Sequence, residues 1–166
     1  MPVFSENTLR DFAQRLLEAG GVPAEKATIV ANSLVLANLC GYDSHGVMRI
    51  PFYVANIEAG RLQPEADLRI ERETPAVIVG DGGWGMGQVI CRQMLDRLFQ
   101  KAAVLGIASG SLRRTGHIGR LGEYAEWAAE HGMVTLLCCN NHGAAQRVAP
   151  IGGKRPRLGT NPMCIG

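Results

Sequence analysis

A change of hydrophobic period near residue 67 restricts the fold of this chain more than any other feature of its sequence. Before it, apolar residues recur at helical spacing. Leu9, Phe12, Ala13, Leu16 and Leu17 follow a capping Ser5 and stop at Gly20-Gly21. Ile29, Val30, Leu34 and Ala37 form a second helical face that starts after Pro23 and ends towards Gly41. Ile50, Tyr53, Val54 and Ile57 form a third, predicted to begin near Gly46 and stop at Gly60, with Pro51 tolerated in its first turn. Residues 61–67 read as a connector. Beyond them short strand-like runs alternate with helical ones. Leu68–Arg72 and Ala76–Val79 read as strands, Gln88–Leu105 as a long helix and Ile107–Ser109 as a strand. Gly119–His131 reads as a helix that His131 caps through the helix dipole, and Met133–Cys138 as a buried strand. Helices followed by this alternation predict an α/β layered protein.

The chain has 166 residues, a length that suits one domain or one domain with a small helical attachment. Its 17 basic and 15 acidic residues leave a net charge of +2, with no basic excess to neutralise phosphates, so nucleic acid is not an expected partner. Its apolar runs fall short of the roughly 20 residues that span a bilayer, and the opening MPVFSENTLRDF lacks the basic-then-apolar order of a signal peptide. Five cysteines without such a signal predict reduced thiols and a cytoplasmic location. No metal site is expected. Cys138, Cys139 and His142 lie close together but match no ligand spacing, and adjacent strand residues point to opposite faces. Buried structural thiols are the expected reading, with Cys40, Cys91 and Cys164 also in apolar surroundings.

The 21 glycines exceed the usual share and mark turns or places where backbone meets ligand. Gly80-Asp81-Gly82-Gly83-Trp84-Gly85 satisfies G-x-G-x-x-G between a strand and a helix, the context of a dinucleotide fingerprint. Arg113 and Arg114 further on would suit a 2′-phosphate. Against this, Asp81 would repel phosphates and Trp84 is bulky for a close approach. On the residues alone a phosphate cradle and an empty glycine-rich turn are equally supported.

Asp43-Ser44-His45-Gly46-Val47-Met48-Arg49-Ile50-Pro51-Phe52-Tyr53 is the densest chemical segment. A helix starting near Gly46 would place His45 at its entrance, Arg49 one turn on and Tyr53 a further turn along the same side. An imidazole exchanges protons near neutral pH. A guanidinium clamps a carboxylate through two parallel hydrogen bonds. A phenol donates one more. The group would suit a small acid whose hydroxyl or carbonyl faces His45; the bland alternative is a capped helix start with a solvated arginine. Gly116-His117-Ile118-Gly119-Arg120 reads equally as a site or as a polar turn. Asn140-Asn141-His142-Gly143 follows a strand end, where amides can hold a cofactor amide or sugar, although on the residues alone a plain turn is the better supported reading.

Five motifs in order carry a resemblance. They are Asp43-Ser44-His45-Gly46 with Arg49 and Pro51, Gly82-Gly83-x-Gly85-x-Gly87-Gln88, Gly116-His117-Ile118-Gly119, Ala149-Pro150-x-Gly152-Gly153 and Leu158-Gly159-Thr160-Asn161-Pro162. The chain resembles the malate/L-lactate dehydrogenase family of the second type, whose relatives include sulfolactate, ureidoglycolate and diketogulonate enzymes and piperideine-2-carboxylate reductases. The resemblance implies an NAD- or NADP-dependent oxidoreductase of 2-hydroxy or 2-oxo acids, or of cyclic imino acids. It implies a layered α/β/α fold with a mixed, non-Rossmann sheet preceded by a helical segment, and a homodimer.

The same resemblance withdraws the Gly80–Gly85 segment as a cofactor ligand and makes it a family turn. By position it implies His45 as proton donor or acceptor with Ser44 beside it, and His117 as a second catalytic histidine. It implies Arg49 and Tyr53 as substrate-binding residues, and Asn140, Asn141, Thr160 and Asn161 near the cofactor. Residues 1–66 then correspond to the helical segment and 67–166 to the first part of the cofactor-binding domain. Family chains continue past the Gly-Thr-Asn-Pro segment, so the sequence resembles an N-terminal half. The alternative expectation is a truncated, catalytically incompetent half that needs a partner or the missing C-terminal residues.

Overall fold

A computed structural model of the chain describes residues 3–141 and 146–166. By packing the chain divides into two units, Met1–Arg120 and Leu121–Gly166, so the division falls later than the change of period at residue 67.

The first unit opens with three helices: α1 (Glu6–Ala19), α2 (Ala24–Leu39) and α3 (Ile50–Glu58). Ser5 caps α1 as expected, its Oγ accepting the Thr8 N–H at 3.2 Å. Only Ala13 and Leu17 of the α1 stripe are buried, while Phe12 and Leu16 remain exposed, so the helix seats on a narrower line than its apolar spacing suggests. The α2 helix, entered through Pro23, is covered on most sides and is the spine of the unit; Val30, Ala31 and Leu34 are at most 1% exposed. The third helix does not start at Gly46. Two single 3₁₀ turns, Asp43–His45 and Val47–Arg49, come first, and α3 begins at Ile50 with Pro51 in its first turn. Proline's missing N–H is harmless there, whereas a start at Gly46 would put it inside the helix and delete an internal hydrogen bond.

Strands β1 (Arg69–Glu73), β2 (Val77–Gly85) and β3 (Ser109–Thr115) form a mixed sheet, with β2 antiparallel to β1 and parallel to β3. Helix α4 (Gly87–Leu105) links β2 to β3. The helical segment and the sheet region share one core, in which Met86 and Val89 join Leu17, Val30, Leu34, Tyr53 and Leu62.

The Gly80–Gly85 segment is neither a cradle nor a turn, because β2 runs through it. A side chain at Gly82 would press on the Arg114 carbonyl and Ile90, and one at Gly85 on Ile90 and the Ala66 carbonyl. Bare backbone lets α4 and β3 lie close against the strand. Asp81 turns inward, buried, and accepts from the Arg114 guanidinium, the Gly83 N–H and Arg69. Those donors hold its carboxyl well below the usual carboxylate range, the Arg114 bond first and the Gly83 N–H next. The strand expected at Ile107–Ser109 begins only at Ser109 and carries Arg113 and Arg114 within it. Neither is kept for a phosphate: Arg113 binds Glu71 at 2.9 and 2.5 Å, and Arg114 binds Asp81.

The second unit contains α5 (Leu121–Glu130) and an antiparallel pair, β4 (Leu136–Cys138) and β5 (Met163–Ile165), in register Leu136↔Ile165, Leu137↔Cys164 and Cys138↔Met163. Past α5, His131 Nδ1 donates to the Trp127 carbonyl at 2.8 Å, as a capping histidine does. The strand expected to be buried over Met133–Cys138 is shorter and mostly exposed, with Val134 at 84% and Leu136 at 64%. Alternation sends every second residue of a strand to the other face, and besides each other β4 and β5 pack mainly on α5. The thiols are not uniformly buried either. Cys91 on α4 is, whereas Cys40 at the end of α2 and Cys138 on β4 are exposed and Cys139 and Cys164 are half-covered. No helix among the described residues is long and apolar enough to cross a membrane.

Candidate active site

Asn38, in the last turn of α2, organises the segment that carries His45. Its Nδ2 donates to Asp43 Oδ1 at 2.5 Å and its Oδ1 accepts the Val47 N–H at 2.9 Å. Gly46 lies flat against this amide, where any Cβ would collide with it. The two 3₁₀ turns are thereby pinned to α2 from the side. Within them Ser44 Oγ and His45 Nδ1 are 2.9 Å apart, and Arg49 Nε donates to the Ser44 carbonyl at 2.5 Å. Ser44, His45 and Arg49 therefore form one local assembly, built by short turns rather than by the helix face expected from their spacing.

His117 arrives from the other end of the unit, in the loop after β3. That loop crosses the start of α4: Gly116 N–H donates to the Gly85 carbonyl at 2.9 Å, and a side chain at Gly87 would strike the backbone carbonyls of Gly116 and His117. Glycine at 87 is what admits the loop. The His117 ring then stands 5.4 Å from that of His45, centroid to centroid and tilted by 32°.

Tyr53, expected to bind substrate, is only 2% exposed, and its hydroxyl lies 2.8 Å from His117 Nδ1. Gln88, in the first turn of α4 and fully buried, donates from Nε2 to the same hydroxyl at 3.0 Å. Gln88 was not among the expected site residues. The signal for it was a long polar side chain followed directly by Val89 and Ile90 where the helix enters the core.

Burial and nearby charge set the protonation of this group. Desolvation, then the Arg49 charge, then His45, lower the His117 pKa from 6.5 to about 4. Burial and Arg49 also lower His45. Burial raises the Tyr53 hydroxyl to about 12, against the opposing effects of Gln88 and Arg49. At neutral pH His117 is therefore a neutral imidazole and Tyr53 a neutral phenol, beside a fixed guanidinium charge.

The residues expected near a cofactor lie in the second unit. Asn140 and Asn141 follow β4, and Thr160 and Asn161 precede β5; the pairing of the two strands continues towards them through Cys139 N–H and the Pro162 carbonyl at 3.0 Å. Gly159 abuts the Asn141 side chain, and Asn161 Nδ2 lies 3.5 Å from the Gly159 carbonyl. The four thus gather at one end of the ladder, with Asn140, Thr160 and Asn161 exposed. His142, in the same motif, lies outside the described residues.

The sequence profile of malate/L-lactate dehydrogenase matches residues 4–166. L-sulfolactate dehydrogenase of Methanocaldococcus jannaschii is 37% identical over 150 residues, which are 90% of this chain and 43% of that protein. The structure of malate dehydrogenase from Pyrococcus horikoshii superposes with a TM-score of 0.90 at 39% identity, over 96% of this chain and 45% of that one. The Δ1-piperideine-2-carboxylate reductase of Pseudomonas syringae does so with a TM-score of 0.83 at 27% identity, over the whole of this chain and 49% of its own. The chain spans about half the length of these relatives. A match along nearly the whole chain, joined to the mixed sheet, places it in the malate/L-lactate dehydrogenase family.

Proposed function

We propose that the chain serves hydride transfer between a nicotinamide cofactor, NAD or NADP, and C2 of a small 2-hydroxy or 2-oxo acid, or of a cyclic imino acid. The observation that carries this reading is the meeting of the Ser44-His45-Arg49 assembly with His117, which comes from a separate segment, the two imidazole rings standing 5.4 Å apart. In the oxidising direction the C2–H bond releases a hydride, and the O–H of a hydroxy acid, or the ring N–H of a cyclic amino acid, releases a proton. His45 takes that proton on Nε2, its Nδ1 being occupied by Ser44 Oγ. In the reducing direction the same nitrogen returns it. Arg49, anchored through Nε to the Ser44 carbonyl, directs its terminal nitrogens to the substrate carboxylate. His117 donates a hydrogen bond to the reacting oxygen.

A nicotinamide, when bound, accepts or delivers the hydride at its C4. Asn140, Asn141, Thr160 and Asn161 would hold it. Their amides and hydroxyl are the donor and acceptor types that a carboxamide and a ribose require, and they gather around a buried Gly159. The homodimer and the cytoplasmic location implied by the resemblance belong to the same proposal.

Fluorescence titration with NADH and NADPH, followed by addition of pyruvate, oxaloacetate, sulfopyruvate or Δ1-piperideine-2-carboxylate, tests the reading. Cofactor binding with oxidation by at least one acid is expected. A folded chain that binds neither nucleotide contradicts it. Because the chain spans about half the length of its relatives, the second reading is a half that is catalytically incompetent without a partner or further residues. Saturable binding with no oxidation would favour that.

A further inference from the structure

We propose that Gln88 is a positioning residue for His117, acting through Tyr53 to hold the imidazole as the neutral tautomer with its proton on Nε2. The proposal deepens the reading of His117 as a site residue and rests on it. Three bonds define it: Gly119 N–H to His117 Nδ1 at 3.3 Å, Tyr53 Oη to the same nitrogen at 2.8 Å, and Gln88 Nε2 to Tyr53 Oη at 3.0 Å.

Their directions follow from one another. A backbone N–H can only donate, so Nδ1 is an acceptor and carries no proton. The Tyr53 hydroxyl, sharing that nitrogen, must then donate its single proton to it. With the proton spent, the hydroxyl oxygen can only accept from the residue on its other side. Gln88 must therefore present its NH₂ end and not its carbonyl. The reverse orientation would have Gln88 Oε1 competing for the Tyr53 proton and would turn the phenol away from Nδ1. The amide thus sets the polarity of the relay, and the relay sets which ring nitrogen bears hydrogen.

The cost of this arrangement is visible. Gln88 is fully buried, and its Oε1 has no hydrogen-bond partner among the described residues. A buried amide half satisfied is worse for stability than an apolar side chain of the same size. A helix entering a core made of Met86, Val89 and Ile90 has no packing need for it. Methionine would fill the same space with no polar atom to satisfy. Its use is to give the Tyr53 hydroxyl one permitted direction. Gly87 and Gly116 serve the same end, since they let the His117 loop lie against the first turn of α4.

Nitrogen NMR of the histidine-labelled chain reads the tautomer directly and does not depend on turnover. In the parent chain at neutral pH His117 is expected with hydrogen on Nε2 and none on Nδ1; hydrogen on Nδ1 overturns the proposal. Gln88→Glu replaces the donor by an acceptor of the same shape. Tyr53 should then donate to the carboxylate and His117 should move its proton to Nδ1. Gln88→Met keeps the volume and removes the polarity, and a mixture of the two tautomers is expected. If either variant is folded, as judged by its amide spectrum, and keeps the parental tautomer unmixed, the role fails. Turnover in these variants should fall through kcat with KM for the acid little changed, because the amide touches no substrate. Absence of turnover in a parent chain that shows the expected tautomer would refute the proposed function while leaving the positioning intact.

Discussion

Tyr53 on α3 and His117 in the loop after β3, 64 positions apart in the chain, share a 2.8 Å hydrogen bond between Oη and Nδ1. It ties the helical segment to the far edge of the sheet at the point where the two imidazoles meet. Replacing Tyr53 by Phe keeps the ring in its buried place and removes only the hydroxyl. The Gln88 N–H then loses its acceptor in a dry site. We expect Tyr53→Phe to lower stability by about 1–3 kcal/mol, seen as a reduced urea midpoint at unchanged slope.

A second prediction concerns pH. His117 has its pKa lowered from 6.5 to about 4, first by burial and then by Arg49 and His45. In that interval the unfolded chain binds a proton that the folded chain refuses. Stability is therefore fully present above pH 6.5, falls as pH is lowered, and finishes falling near pH 4, with a slope of at most about 1.4 kcal/mol per pH unit. His45, lowered in the same direction, adds to the loss. Urea denaturation across this range should show the decline in the parent chain and a shallower one in His117→Gln.

Gly87 offers a test of the loop's placement. Alanine is the better helix former, by up to about 1 kcal/mol, yet its Cβ would meet the Gly116 and His117 carbonyls. Backbone atoms cannot step aside as a flexible side chain can. Gly87→Ala is expected to destabilise by about 1–3 kcal/mol and to displace His117, lowering turnover. A gain in urea midpoint would show that the loop is free to move.

Much of this was legible in the sequence because it was local. The α1 cap at Ser5, the Pro51 first turn and the Ser44-His45-Arg49 assembly all depend on residues within about one turn of each other. The Gly80–Gly85 segment misled because glycines that admit a ligand and glycines that admit a helix look the same in one dimension. The close packing at Gly82 and Gly85 and the burial of Asp81 against Arg114 distinguish them. The Met133–Cys138 run looked buried since apolar composition does not say how many neighbouring strands cover it. The sequence marks Gln88 only as a polar side chain ahead of Val89 and Ile90; its partners, Tyr53 and through it His117, are reached only by packing α4 against α3 and the loop after β3.

Arg49→Lys separates charge from geometry. Lysine keeps the positive charge but cannot donate from Nε to the Ser44 carbonyl while forking onto a carboxylate. KM for the acid should rise by roughly 10-fold or more, the worth of a charge-assisted bond, with kcat much less affected. Equal KM values in parent and variant, measured by steady-state oxidation of reduced nicotinamide, would show that Arg49 does not hold the acid.

The account turns on proton transfer at His45, and His45→Ala tests it most directly. The measurement is the rate of reduced-nicotinamide oxidation at saturating 2-oxo acid, in parent and variant chains of equal stability. A fall in kcat of roughly 10²–10⁴-fold, with cofactor binding retained, is the predicted result. An unchanged kcat would contradict it.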